Sequence, residues 1–307
     1  MARKVILVTD PGLDGAFAIA LALHDPELEV LALAATAGNV SADQATRNVQ
    51  TIVEQLDPPR WPRLGAALAV DYDIDGTNLH GANGLGGVEF PCARLHHSHP
   101  SDKLISDLAR HNPKEVTIVL LGPATVLARA LDRDPELTSL LQRVVIVGGS
   151  WHEPGDAGPV SEFHFSCDPA AARQVLRSGL PLTLIPLDVS RKLVFSPADL
   201  LRLPADDSPG AAFLHKTVKQ GISRTASLYG TEGFYLQDVL GIVAVSKQES
   251  FTTRPACADV ETRGDLTRGM TVFDSRWGTK AKPNVELATS VDLATVRKYI
   301  STTVDLA

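Results

Sequence analysis

The sequence predicts an open, mostly parallel α/β sheet with helices on both faces. Three observations lead there. Apolar runs of strand length alternate with stretches whose apolar residues are spaced for one helical face. The runs are continuous rather than alternating, as expected of strands covered on both sides. Each also ends in a polar or glycine-bearing segment, and in sheets of this kind ligands bind at the carboxyl ends of the strands.

The elements can be justified in order. KVILVTD (4–10) reads as a buried strand and DGAFAIALALHD (14–25) as the helix that follows it. EVLALAATAG (29–38) is the next strand, turning at Gly38 and Asn39. SADQATRNVQTIVEQLD (41–57) is a helix with Ser41 as its N-cap. Residues 63–103 are loop-rich and contain the histidine cluster HHSHP. KEVTIVLLG (114–122) is a strand, PATVLARALDRD (123–134) a helix with Pro123 in its first turn, and LQRVVIVGG (141–149) a strand. DPAAARQVLRSG (168–179) reads as a helix closed by Gly179, and PLTLIPLD (181–188) as a strand ending at Asp188. Residues 191–236 look more helical and suggest a lid on one domain spanning 1–307. No internal repeat or low-complexity linker breaks that span.

Composition narrows the function. With 44% hydrophobic residues in 307, the chain can bury a large core and is unlike a disordered one. A net charge of −7 supplies no basic surplus for nucleic acid. Cys92, Cys167 and Cys257 are odd in number and widely spaced, fitting reduced thiols rather than a disulfide framework or zinc site. The N-terminal apolar stretch breaks at Asp10, too early for a signal peptide, and no run reaches the about 20 residues of a membrane span. A cytoplasmic protein without nucleic-acid or membrane partners is expected.

The strand ends carry the chemistry. Asp10 and Asp14, Thr36 and Asn39, Gly122 and Thr125, Gly148 and Gly149, and Asp188 all fall at one edge of the predicted sheet. DPGLDG is not the G-x-G-x-x-G of a dinucleotide site, and a P-loop is absent. Carboxylates there repel phosphate, so a metal cation and a hydroxyl-rich ligand suit the site better. The motif DPGxD alone is weak, since Asp10 as a cap and Asp14 facing solvent explain it equally well.

The wider constellation is more specific. VTDPGLD, TAGNV, HGANGLGG, LGPATVLARAL, VIVGGS, SEFHFSCDPAAA, PLDVS, LQDVLGIVAV and LTRGMTVFD occur in the order and at about the spacing found in nucleoside hydrolases. The chain resembles that family from the first strand to about Asp274. The resemblance implies an enzyme that hydrolyses the N-glycosidic bond of ribonucleosides to ribose and free base, assembled as a homodimer or homotetramer. It implies a Ca²⁺ ion that binds ribose hydroxyls and the attacking water. Carried over by position, Asp10, Asp238 and the Thr125 carbonyl are metal ligands; Asp10 and Asp238 are also the catalytic carboxylates, with Asp10 the candidate general base. Asp14, Asn39 and Glu162 bind ribose, and Asp156, His164 and Gln237 stand at substrate-facing positions. The chemistry is coherent: Ca²⁺ takes six to eight oxygens in general, and a carboxylate base suits attack on an oxocarbenium-like ribose.

Five positions depart from the family pattern. The second aspartate of DPGxDD, a principal calcium ligand in the family, is Gly15 here, although glycine is a poor helix former costing up to about 1 kcal/mol against alanine. The asparagine after the threonine of GPLTN is Val126. The asparagines of GN…AEFN are Asp156 and His164, and the histidine of the late HD pair is Gln237, whose amide is no general acid near neutral pH. Three functions stay open: a hydrolase with a rearranged site, a hydrolase for an altered N-riboside, and a ribose- or nucleoside-binding homologue without efficient turnover. His164, or one of His96, His97 and His99, is a candidate acid, against the blander reading of HHSHP as a solvated loop. Tyr229, Phe234 and Tyr235 either line a base pocket or pack a lid. Trp61, Trp151 and Trp277 read mainly as packing residues, with Trp151 nearest the expected mouth. His80 reads as loop structure beside the site.

Overall fold

In the computed structural model, residues 2–93, 99–205, 207–277 and 280–304 are described. The strands are β1 (Arg3–Thr9), β2 (Leu28–Ala35), β3 (Arg63–Ala66), β4 (His99–Pro100), β5 (Val116–Leu121), β6 (Arg143–Val147) and β7 (Leu182–Ile185). They continue as β8 (Val194–Phe195), β9 (Phe234–Tyr235), β10 (Phe251–Ala256), β11 (Ala258–Val260), β12 (Thr271–Phe273) and β13 (Val285–Val291). Nine form one sheet in the order β10-β13-β7-β6-β5-β1-β2-β3-β4. Only the β10–β13 pair in that sheet is antiparallel. The expected open, mostly parallel α/β architecture is what the chain adopts.

Why the strands read as unbroken apolar runs is visible in β1. Val5 and Leu7 face one core while Ile6 and Val8 face the other, all four fully buried. The first core is covered by helices Leu13–His24, Ala42–Leu56, Pro209–Tyr229, Val239–Ser246 and Leu293–Val304. The second is covered by Ser101–His111, Thr125–Arg133 and Pro169–Leu176.

Register places the site. Thr9 pairs with Ala35 of β2 and Leu121 of β5, and Val147 of β6 pairs with Ile185 of β7. The next residues along the chain, Asp10, Thr36, Gly122 and Gly148, therefore emerge in one row at the carboxyl edge. Several local expectations shift slightly. Ser41 caps its helix by accepting from the Gln44 amide. The helix expected from Pro123 begins at Thr125, because the Ala124 carbonyl takes the first helical bond, from Ala128. Gly179 (φ +80°) follows the end of its helix at Leu176 by three residues, turning the chain toward β7. The strand expected to run to Asp188 stops at Ile185, and Leu187–Ser190 form one short helical turn after Pro186. Among the described residues no helix is long and apolar enough to cross a membrane.

Candidate active site

A cavity of about 230 Å³ opens at the carboxyl edge of the sheet. Asp14, Asn39, Asp156, Glu162, His164, Gln237 and Asp238 all line it, so residues far apart along the chain close onto one space. Tyr229, Phe234 and Tyr235 form part of its wall, as does His80. Asp10 and Thr125, expected in the same constellation, do not line the cavity; Asp10 lies behind it, 1% exposed.

The backbone of the first turn explains how Asp10 is held. Its Oδ2 accepts from the Asn39 amide at 2.8 Å, and Asn39 Nδ2 donates to the Asp10 carbonyl at 3.1 Å. Its Oδ1 is buried and has no hydrogen-bond partner. Burial pushes the Asp10 carboxyl up to about 7, although the neighbouring His164 opposes the rise. Asp238 is also raised well above the usual carboxylate range, by burial and then by Asp14, Asp10 and Glu162 nearby.

His164 faces acceptors on both sides. Its Nε2 lies 3.6 Å from Asp10 Oδ1, while Nδ1 lies 3.3 Å from the Val147 carbonyl and 3.5 Å from Glu162 Oε1. Burial disfavours its charged form, but Glu162 and Asp10 outweigh burial and leave the imidazole above its ordinary pKa. Glu162 caps the short helix Phe163–Cys167, accepting from the amides of Gly149, His164 and Phe165 at 3.0–3.1 Å. Asp156 accepts from the Phe163 amide at 2.8 Å, and burial followed by Glu162 raises it to about 6. Gln237 Oε1 accepts from Ser190 Oγ at 3.3 Å, and the residue lines the cavity.

Other polar groups of the strand ends serve the scaffold. The Asp188 carboxylate, expected to face the ligand, accepts from the amides of Trp151, His152 and Glu153 at 2.8–3.3 Å and fixes the loop after β6. The Thr125 hydroxyl donates to Asp168 and meets the Tyr72 hydroxyl, each at 2.6 Å. Buried His80 accepts from the Leu13 amide at 3.0 Å, and its ring fills the space beside Gly12, where a Cβ would come within 2.6 Å. His96 and His97 lie outside the described residues, and His99 is exposed on the edge strand β4. Trp151 stacks under the Arg254 guanidinium 4.3 Å from its ring centroid and is not part of the cavity wall. Trp61 and Trp277 are exposed.

Sequence reasoning missed one wall. Asp75, Gly76, Asn78 and Leu79 border the cavity, and Arg224 holds this loop by donating to the Leu79 and Asn78 carbonyls at 2.7 and 2.9 Å. The turn-forming Asp75-Gly76 pair beside HGANGLGG was the available signal.

The donor set for the implied Ca²⁺ falls short. Among the described residues no three His, Cys, Asp or Glu side chains converge as a metal-binding group. At position 15 a Cβ would stand 3.0 Å from Asp238 Oδ2 and 3.6 Å from Thr9 Oγ1, itself buried without a partner. The scaffold thus retains the place for a carboxylate beside Asp238, and glycine leaves that place without an oxygen. A cation that takes six or more oxygens would find fewer side-chain donors here than the family pattern supplies.

Comparison with known proteins agrees with this architecture. The model of the inosine-uridine preferring nucleoside hydrolase family matches residues 5–298. A pyrimidine-specific ribonucleoside hydrolase, RihA, of Salmonella schwarzengrund is 36% identical, with 95% of each chain covered. A non-specific ribonucleoside hydrolase, RihC, of Escherichia coli is 33% identical with both chains covered in full. Among solved structures, a purine-preferring ribonucleoside hydrolase from Gardnerella vaginalis superposes with a TM-score of 0.88 at 28% identity, covering 99% of this chain and 100% of the other. With its sheet, its strand-end carboxylates and nearly its whole length accounted for in this way, the chain belongs to the nucleoside hydrolase family.

Proposed function

We propose that this protein is a nucleoside N-ribohydrolase, converting a ribonucleoside and water to ribose and free base. The observation that carries the reading is the convergence of Asp14, Asn39, Glu162 and Asp238 on one cavity, with the unpartnered Asp10 Oδ1 behind it. Such a wall of oxygens suits ribose hydroxyls, and the family match and ribonucleoside-hydrolysing relatives support the same reaction.

Water attacks C1′ of the ribose and gives its proton to Asp10, whose burial-raised pKa of about 7 suits a base at neutral pH. The C1′–N bond breaks with its electron pair on the base, which takes a proton from solvent while the Gln237 amide donates a hydrogen bond. The surrounding carboxylates stabilise positive charge building on the ribose ring. Tyr229, Phe234 and Tyr235 offer apolar surface for the base, and residues 191–236 act as a lid. The family is metal-dependent, but no step here passes through the implied calcium, because its donor set is incomplete.

We further propose a homodimer or homotetramer working in the cytoplasm on small nucleosides or related ribosides in base salvage, as the resemblance implies. The test is chromatography of purine and pyrimidine ribonucleosides incubated with the protein. Equimolar ribose and base from one of them supports the proposal. Unchanged nucleosides that nonetheless bind by calorimetry favour a binding protein instead.

A further inference from the structure

We propose that the preferred substrate is an N-riboside whose leaving group is already cationic, an N-ribosylpyridinium, rather than a neutral purine or pyrimidine nucleoside. The inference rests on the hydrolase reading and narrows it to a substrate class.

The cavity has two ends. At the sheet edge the acidic groups stand together, with His164 between Asp10 and Glu162, and Asp238 near Asp14. The other end is built by Thr225 and Tyr229 of helix Pro209–Tyr229, by the segment 75–79 that Arg224 ties to that helix, and by β9 with the adjoining Gln237.

Three observations at this second end carry the inference. First, its side chains offer no proton donor that is acidic near neutral pH: Thr225 is an alcohol, Tyr229 and Tyr235 are phenols, and Asn78 and Gln237 are amides. His80 accepts the Leu13 amide on Nδ1, so its ring holds a single proton on Nε2 and is a hydrogen-bond donor rather than a cationic acid. His164 turns its nitrogens to Asp10, Glu162 and the Val147 carbonyl instead. Second, Asp75 adds a negative charge to this wall. Hydrogen bonds from the Thr77 hydroxyl and amide hold its carboxyl below the usual carboxylate range, and among the described residues no lysine or arginine lines the cavity. Third, Tyr229, Phe234 and Tyr235 all line the space, and aromatic side chains attract a flat organic cation.

The chemistry separates the two kinds of leaving group. When C1′–N breaks in a neutral nucleoside, the electron pair makes the base an anion unless a proton arrives. A pyridinium needs no proton. Water attacks C1′ and gives its proton to Asp10 as above, the C1′–N pair moves to the ring nitrogen, and the products are ribose, a neutral pyridine and one proton. General acid catalysis is worth about 10²–10⁴-fold, so a base end without an acid slows the neutral class by that order and spares the cationic one.

The test is ribose release in CaCl₂-containing buffer, corrected for the enzyme-free rate, with nicotinamide riboside as the cationic probe and uridine, cytidine and inosine as neutral ones. Wild type is expected to show kcat/KM at least about tenfold higher for nicotinamide riboside than for any neutral nucleoside. Gln237→His supplies an imidazole acid at this end and is expected to narrow that ratio by about tenfold or more, through faster release from the neutral nucleosides. Asp75→Asn is expected to raise KM for nicotinamide riboside about threefold more than KM for uridine. A smaller ratio in wild type overturns the proposal and leaves the hydrolase reading standing. A ratio that Gln237→His does not narrow, or an equal change in both KM values for Asp75→Asn, overturns it too. No ribose from any riboside of either class defeats the hydrolase reading itself, and this proposal with it.

Discussion

Asp10 shows how much one side chain depends on its place at a strand end. One carboxylate oxygen is tied to the Asn39 amide and the other is open toward His164. Asp10→Asn keeps the size and the Asn39 contact while removing the proposed base. Ribose release is expected to fall by about 10²–10⁴-fold, the usual contribution of a general base, with an unchanged circular dichroism spectrum. A variant that retains more than a tenth of the rate contradicts the role. Gly12 is a different kind of requirement, because a Cβ there lands 2.6–2.9 Å from the His80 ring. Gly12→Ala is expected to cost about 1–3 kcal/mol in urea unfolding, as overpacking does. The strand-end positions of Asp10, Asp14 and Asn39 were legible in the sequence because short turns after continuous apolar runs have few places to go. Asp188 was misread for the same reason: a carboxylate after a strand looks alike in sequence whether it faces a ligand or caps backbone amides, and only the fold shows the three it accepts from.

Among the elements, the parallel strands and their helices were plain from hydrophobic pattern, and the errors sit at their ends. Pro186 diverts the chain into a helical turn where the apolar run seemed to continue, and the segment at residues 75–79, which includes the start of the short turn Thr77–His80, carries no periodicity by which it could be found. That loop reaches the site through a clamp. Arg224, on helix Pro209–Tyr229, donates to three successive carbonyls, those of Thr77, Asn78 and Leu79. Arg224→Ala is expected to loosen this wall and raise KM about tenfold or more while kcat changes less, since the residue touches no reacting atom. Steady-state kinetics decide it, and a kcat loss at constant KM is the contrary result. Asp188→Ala removes the acceptor for the loop after β6 and is expected to lower stability by about 1–3 kcal/mol, measured by denaturant unfolding.

At the scale of the whole molecule, the buried carboxylates make the fold sensitive to pH. Asp10 at about 7 and Asp156 at about 6 stand above the ordinary aspartate range, and Asp238 is raised as well. The folded chain therefore binds more protons than the unfolded chain between about pH 4 and 7, so these groups contribute stability at low pH that is lost as pH rises through their folded pKa values. Asp199 and Asp259 are lowered and act in the opposite sense, but their contribution is lost only in acid. In chelator-containing buffer Tm is expected to fall from pH 5 to pH 8, and less steeply in Asp10→Asn; a Tm that climbs across this range contradicts the assignment. The carboxylates that make this fold sensitive to alkali are those that gather at the sheet edge where the proposed function puts the ribose. The most direct measurement is ribose release by wild-type protein from a panel of purine and pyrimidine ribonucleosides, with CaCl₂ and with chelator, and with Asp10→Asn beside it. Release from at least one ribonucleoside by wild type, and almost none by the variant, is the expected result. Silence from both across the panel, or equal rates from both, contradicts hydrolysis by this site.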